Sequence, residues 1–150
     1  MKIKTAVFAV LMVLVQAAAL NASGAIKWYS FQEGMAMAEK EKKKVFIHFY
    51  AGWCPSCKKM EKETFSNSAV ISYLNKNYIS IKVNTDIEGA LSSEFGIRGV
   101  PDNWFISEDI EPITNQAGYL PSKLFLPILK YIHTDSFNKM SLRQFMGRKE

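Results

Sequence analysis

Residues Val45-Phe46-Ile47-His48-Phe49-Tyr50-Ala51 form a continuous apolar and aromatic run, bounded by lysines on one side and Gly52 on the other. A run of this length, rich in β-formers, reads as a strand buried on both faces. Such a strand requires layers of structure above and below it. Trp53-Cys54-Pro55-Ser56-Cys57 follows at once and contains the chain's two cysteines. Lys58 to Glu63 continues as helix, so Cys54 stands where a strand ends and a helix begins.

The flanking sequence supplies the layers. Ser30, with Glu33 three residues on, has capping-box spacing. Phe31, Met35, Met37 and Ala38 recur at helical spacing after it, a core-facing stripe rather than a metal-binding one. Trp28 and Tyr29 before this helix fit a short edge strand or core packing. The Lys40 to Lys44 run reads as the solvated end of the helix, where cations suit the negative dipole end. Asn67 can cap a short helix through Val70, Ile71 and Leu74. Tyr78 to Val83 is a second strand. Asp86 can cap a helix through Leu91 to Phe95, which Gly96 ends. Strands over Asn103 to Ser107 and Ile110 to Thr114, joined at Glu108-Asp109, make an antiparallel hairpin. After Gly118, Pro121 to Ile132 gives a last long helix, which Pro127 kinks or starts. Phe137, Met140, Leu142 and Phe145 mark a docked tail. The order, strands and helices alternating before an antiparallel pair, predicts an α/β layered domain with a crevice at the carboxyl ends of its strands.

Two thiols at this spacing fit a structural staple, half of a zinc site, or reversible redox chemistry. A staple closing so short a loop adds little chain-entropy stabilisation. Zinc normally takes four ligands, and Cys54, Cys57, His48 and His133 are the chain's full set of cysteines and histidines, with neither histidine at finger spacing. Ligand count therefore argues against metal, no cofactor is expected, and redox exchange is favoured. Compartment bears on this choice. Residues 1–25 begin with Lys2 and Lys4, continue through an apolar stretch from Thr5 to Val15, and end in small residues. That is the order of a secretory signal peptide, with cleavage expected within 19–25 and a mature domain over 26–150. The apolar stretch is shorter than the ~20 residues of a spanning helix, so membrane attachment is expected only if the leader is retained. An oxidising compartment suits a disulfide. Without Lys2 and Lys4, 17 basic residues face 14 acidic ones, so the formal charge falls from +5 to +3. That is too mild for a nucleic-acid partner. A monomer is expected.

Three separated segments resemble the thioredoxin superfamily. Phe46 to Lys58 resembles its strand and active-site turn, Ile81-Lys82-Val83-Asn84 its next central strand, and Phe95-Gly96-Ile97-Arg98-Gly99-Val100-Pro101 the segment leading to its cis-proline. The resemblance covers about Trp28 to Ile132, leaving a short carboxyl-terminal extension from about 133. Trp53-Cys54-x-x-Cys57-Lys58-x-Met60-Glu61-x-x-Thr64-Phe65 is similar to exported thioredoxin-like reductases. Among these are the periplasmic domain of the membrane thiol:disulfide interchange reductase and small sulfur-oxidation thioredoxins. The resemblance implies a three-layer fold, with a central mixed sheet and helices on both faces.

It also implies thiol-disulfide exchange with other proteins, in the reducing direction. Cys54 is the expected nucleophile, since helix-start N–H groups and dipole favour its thiolate. Cys57, within the helix and more buried, is the expected resolving thiol of a redox-active Cys54–Cys57 disulfide. Trp53 is expected to shield the pair, or else to pack in the core. Val100 and Pro101 are expected to bind an extended substrate segment by backbone pairing. Partners would be protein disulfides and a membrane or soluble thiol reductase that donates electrons. His48 stands where relatives carry a buried Asp that handles the resolving proton. It is either that proton acceptor, with Lys82 nearby favouring its neutral form, or a satisfied core histidine. Asp102 and Asn103 also depart from the family pattern and are expected to line the substrate groove. A disulfide-forming oxidant or isomerase, and a Cu(I)-delivery module using the two thiolates, are the alternatives.

Overall fold

The structure is a computed structural model and describes residues 24–148. Most of the leader expected over 1–25 therefore lies outside the described residues. A five-stranded mixed sheet carries the domain. Its strands are β1 (Trp28–Tyr29), β2 (Lys44–Tyr50), β3 (Tyr78–Asn84), β4 (Asp102–Ile106) and β5 (Pro112–Ala117), in the spatial order β1-β3-β2-β4-β5. β1, β3 and β2 run parallel, while β4 pairs antiparallel with both β2 and β5. The helices are α1 (Phe31–Glu41), α2 (Pro55–Glu63), α3 (Ser68–Asn77), α4 (Gly89–Glu94), α5 (Ser122–His133) and α6 (Leu142–Met146). A 3₁₀ turn, Ser136–Asn138, precedes α6.

Alternation along the central strand separates two cores, because successive strand side chains point to opposite faces. Phe46 packs with Met60 and Phe65, with Val70 and Leu74 of α3, and with Phe125 and Leu129 of α5. Val45, Ile47 and Phe49 pack on the other face with Ala38 of α1, Ile81 and Val83. Each such fully buried side chain contributes on the order of 1.5–3 kcal/mol. A small third cluster, Ala51, Cys54 and Cys57, sits at the carboxyl end of β2. The expected three-layer architecture is thus present, and the Phe137 and Leu142 side chains of the tail pack on the first core.

Several local expectations are met. Ser30 and Glu33 form a reciprocal capping box, and Asn67 caps α3 by accepting from Ala69 and Val70 N–H. Others are corrected. The hairpin's second strand starts at Pro112 and extends to Ala117, because Ile110 takes a left-handed φ of 67° inside the turn. Asp86 does not cap α4; Glu88 precedes that helix without a side-chain cap bond. Pro127 neither starts nor ends α5. The N–H it lacks would have bonded the carbonyl of Lys123, an exposed residue. Lys44 is not on a solvated helix end. It begins β2, its side chain is 1% exposed, and its ammonium bonds Glu108 at 2.5 Å and Asp135 at 3.0 Å.

Candidate redox site

The buried β2 delivers the chain into a tight turn at its carboxyl end, where Cys54 N–H donates to the Ala51 carbonyl at 3.2 Å. Cys54 then serves as the N-cap of α2, with extended backbone (φ −76°, ψ 113°) and Pro55 as the first helical residue. Proline suits that position because its missing N–H would have had no helical partner, and it disfavours helical geometry at Cys54. The Cys57 N–H donates to Cys54 Sγ at 3.1 Å. The cap that a serine or aspartate oxygen usually provides is here a sulfur, so the helix's free N–H groups and positive dipole end are aimed at it. Both stabilise negative charge on that sulfur once the disulfide is reduced.

Cys54 and Cys57 are joined as a disulfide, with Cα atoms 5.3 Å apart. Their exposures, 3% and 2%, do not distinguish the two sulfurs as the sequence suggested. Both belong to one small cluster with Ala51, against which Tyr50 and Val100 pack. What differs is the surroundings. Cys54 Sγ receives the Cys57 N–H and lies 3.5 Å from the Val100 carbonyl oxygen. Cys57 sits inside the helix and is buried with Ala51. The Val100–Pro101 peptide is cis, and Pro101 is buried at the head of β4.

Trp53 does not pack in the core. The residue is 68% exposed, and its Nε1–H donates to Asp86 Oδ1 at 3.1 Å. That bond is what Asp86 does in place of capping α4. Nothing local in the sequence pairs two residues 33 positions apart, so this contact was not legible there.

His48 and Asn103 are brought together in the interior, so Asn103 does not line a groove as expected. In register across the sheet stand Lys82, His48, Asn103 and Gln116. Asn103 is fully buried, and Asp102, 6% exposed, accepts from Asn115 Nδ2; neither lines an open groove. Asn103 Nδ2 donates to the Gln116 and Gly118 carbonyls at 3.0 and 3.3 Å, which turns its Oδ1 toward His48 Nδ1 at 2.9 Å. An amide oxygen only accepts, so Nδ1 carries the imidazole proton. His48 Nε2 is then a bare acceptor, buried and without a hydrogen-bond partner in the protein. Burial lowers the His48 pKa to about 4, the Asn103 bond opposes this, and Lys82 adds to it. The ring is neutral at neutral pH, packed edge-on against Phe65 and stacked on Tyr50. Lys82 itself pairs with Glu61 and lies over the Tyr50 ring at 4.6 Å.

His133, the other candidate zinc ligand, bonds the Tyr73 hydroxyl at 3.0 Å. Among the described residues, no group of three or more His, Cys, Asp or Glu is placed to hold a metal ion. No helix among them is long and apolar enough to cross a membrane.

A mixed sheet between helical layers, with a cysteine pair opening the helix after the central strand and a cis-proline against it, defines the thioredoxin superfamily class of thiol-disulfide oxidoreductase domains. A thioredoxin-like domain family model matches residues 31–133, and the chain belongs to that family. It is 30% identical over 129 residues to an uncharacterized protein of Caenorhabditis elegans, covering 77% of this chain and 18% of that protein. It is 30% identical over 107 residues to the thiol:disulfide interchange protein DsbD of Vibrio vulnificus, covering 67% of this chain. The match spans 18% of DsbD's length, so the likeness is to a small part of a much longer protein. Among solved structures, a thioredoxin from Thermus thermophilus superposes with a TM-score of 0.67 at 22% identity, over 73% of this chain and 88% of that one. The reduced C-terminal domain of Neisseria meningitidis DsbD gives 0.57 at 25% identity, over 69% and 97%.

Proposed function

We propose that this chain is an exported thiol-disulfide oxidoreductase that reduces disulfides in other proteins, with a leader over residues 1–25 and a redox domain from about residue 26. The observation that supports exchange at Cys54 is the sulfur cap, while export and the reducing direction rest on the leader pattern and on the likeness to DsbD. Cys54 Sγ accepts the Cys57 N–H at the start of a nine-residue helix, beside the Val100 carbonyl. In the reduced protein the Cys54 thiolate attacks one sulfur of a partner's disulfide, forming a mixed disulfide and releasing the partner's other sulfur as thiolate. Cys57 loses its proton and attacks Cys54 Sγ. The Cys54–Cys57 disulfide forms, and the partner leaves with both sulfurs reduced. Trp53, Val100 and Pro101 border the reacting sulfur and hold the partner segment. Two electrons pass to the partner in each cycle, and a membrane or soluble thiol reductase returns them.

His48 is the acceptor for the Cys57 proton in this scheme, since Nε2 is buried and has no hydrogen-bond partner among the described residues. With an imidazole pKa of about 4 and an ordinary thiol near 8.5, that transfer is uphill by about 6 kcal/mol. Turnover at ordinary enzyme rates tolerates a total barrier of roughly 14–17 kcal/mol, so a transient transfer fits while a resting imidazolium does not.

Trapping tests the assignment. Cys57→Ser should retain partner proteins as mixed disulfides that reductant releases, and Cys54→Ser should not; equal retention by both would overturn the roles. The direction is tested separately by equilibrating the pair with glutathione. A potential well above about −200 mV would make the chain a disulfide-forming oxidant instead.

A further inference from the structure

Trp53, Ile87, Leu124 and Met146 are the large apolar side chains that stand exposed among the described residues. The two most exposed, Trp53 at 68% and Ile87 at 79%, belong to the loops that meet beside Cys54. Trp53 lies in the turn before α2, and Ile87 in the connection after β3. The Trp53–Asp86 hydrogen bond of 3.1 Å joins these loops, and Ile87 is the next residue along. The connection is pinned elsewhere too. Thr85 N–H donates to the Tyr50 carbonyl at the end of β2, and the N–H groups of Ile87 and Glu88 both donate to the Asn84 carbonyl. Asp86 N–H donates to Asn84 Oδ1. Ile87 is therefore held out in water by a fixed backbone, and contact with a partner costs little further ordering.

We infer that Trp53 and Ile87 form an apolar step that receives the side chain next to the attacked cysteine of a partner. The preferred partner is then an extended polypeptide disulfide with Leu, Ile, Val or Phe beside its cysteine. The inference rests on exchange at Cys54 and adds what backbone pairing along Val100-Pro101 cannot supply. Main-chain hydrogen bonds read no side chains, and pockets or steps for alternate residues supply the selection. The Asp86 carboxylate, held at the foot of the step by the indole, disfavours an acidic residue there.

The test uses the reduced full chain and two peptide disulfides that differ in one residue beside the cysteine, Leu or Ser, with glutathione disulfide as a small substrate. The wild-type chain should show a kcat/KM ratio for Leu over Ser of about tenfold, the size expected for burying one aliphatic side chain. Ile87→Ser should bring that ratio close to one, and Ile87→Leu should keep it. A wild-type ratio near one, or a ratio unchanged in Ile87→Ser, would overturn the inference while exchange with glutathione disulfide upheld the redox reading. No exchange with any of the three would overturn that reading and the inference together.

Discussion

His48 shows how much one buried side chain can couple to solution conditions. Burial lowers its pKa from 6.5 to about 4. The unfolded chain therefore takes up a proton between those values that the folded chain refuses. Stability from this group is complete above about pH 6.5 and declines as pH falls to 4, by about 3 kcal/mol in total. Urea unfolding should show a lower midpoint at pH 4.5 than at pH 7, and His48→Leu should flatten that part of the profile. A His48→Leu profile as steep as wild type would place the loss in other groups. Gly34 offers a residue-scale test with the opposite sign to propensity. Alanine in a helix interior normally gains about 1 kcal/mol over glycine. In α1, however, an added Cβ would overlap the buried Ile81 side chain of β3. Gly34→Ala should destabilise by roughly 1–3 kcal/mol in chemical denaturation, because a filled core resists extra volume. The sequence placed His48 and Gly34 in the correct elements. It could not show the Asn103 bond or the Ile81 contact, since each joins residues about 50 positions apart.

Among the elements, β2 is held at both ends by different physics. Its carboxyl end runs into the sulfur cap. Its amino end is fixed by the buried Lys44 ammonium, which reaches Glu108 in the β4–β5 turn and Asp135 after α5. Burial pulls the Lys44 pKa down, but the bonds to the two carboxylates outweigh it and hold it above its ordinary value. Removing the whole charge differs from removing its partners. Lys44→Met should change stability by about 1 kcal/mol or less, since an apolar chain of similar length fills the same space. The Glu108→Gln, Asp135→Asn pair leaves an unpaired buried ammonium and should cost about 2 kcal/mol or more. Comparing their denaturant midpoints checks this, and a costlier Lys44→Met would contradict it. The charge density of the Lys40 to Lys44 run concealed this role. Lys43 pairs with the neighbouring Glu41, whereas Lys44 takes its carboxylates from elsewhere in the chain, so composition alone made it look like its solvated neighbours.

For the molecule as a whole, the sheet separates a redox end from an anchoring end by the length of β2, about 20 Å. The tail after His133 belongs to the anchoring end, through Asp135, Phe137 and Leu142. A chain ending at Thr134 should melt roughly 5–10 °C lower, as lost tail contacts and a half-paired Lys44 remove a few kcal/mol. Its rate of exchange with glutathione disulfide at 25 °C should match that of the full chain. A truncated chain that kept its melting point but lost exchange would reverse this division of labour. The sequence by itself determined the layered α/β architecture, the buried central strand and the placing of Cys54 at a helix start. These follow from periodicity, capping residues and proline geometry, all carried within a few neighbouring residues. Tertiary structure decided which polar groups are spent in the interior and which stand at the surface beside Cys54. It paired His48 with Asn103, drew Lys44 inward to two carboxylates, and gave Asp86 to the Trp53 indole with Ile87 beside it. Those outcomes depend on strand register and on loops meeting across the end of the sheet, and neither is written in any one stretch of chain.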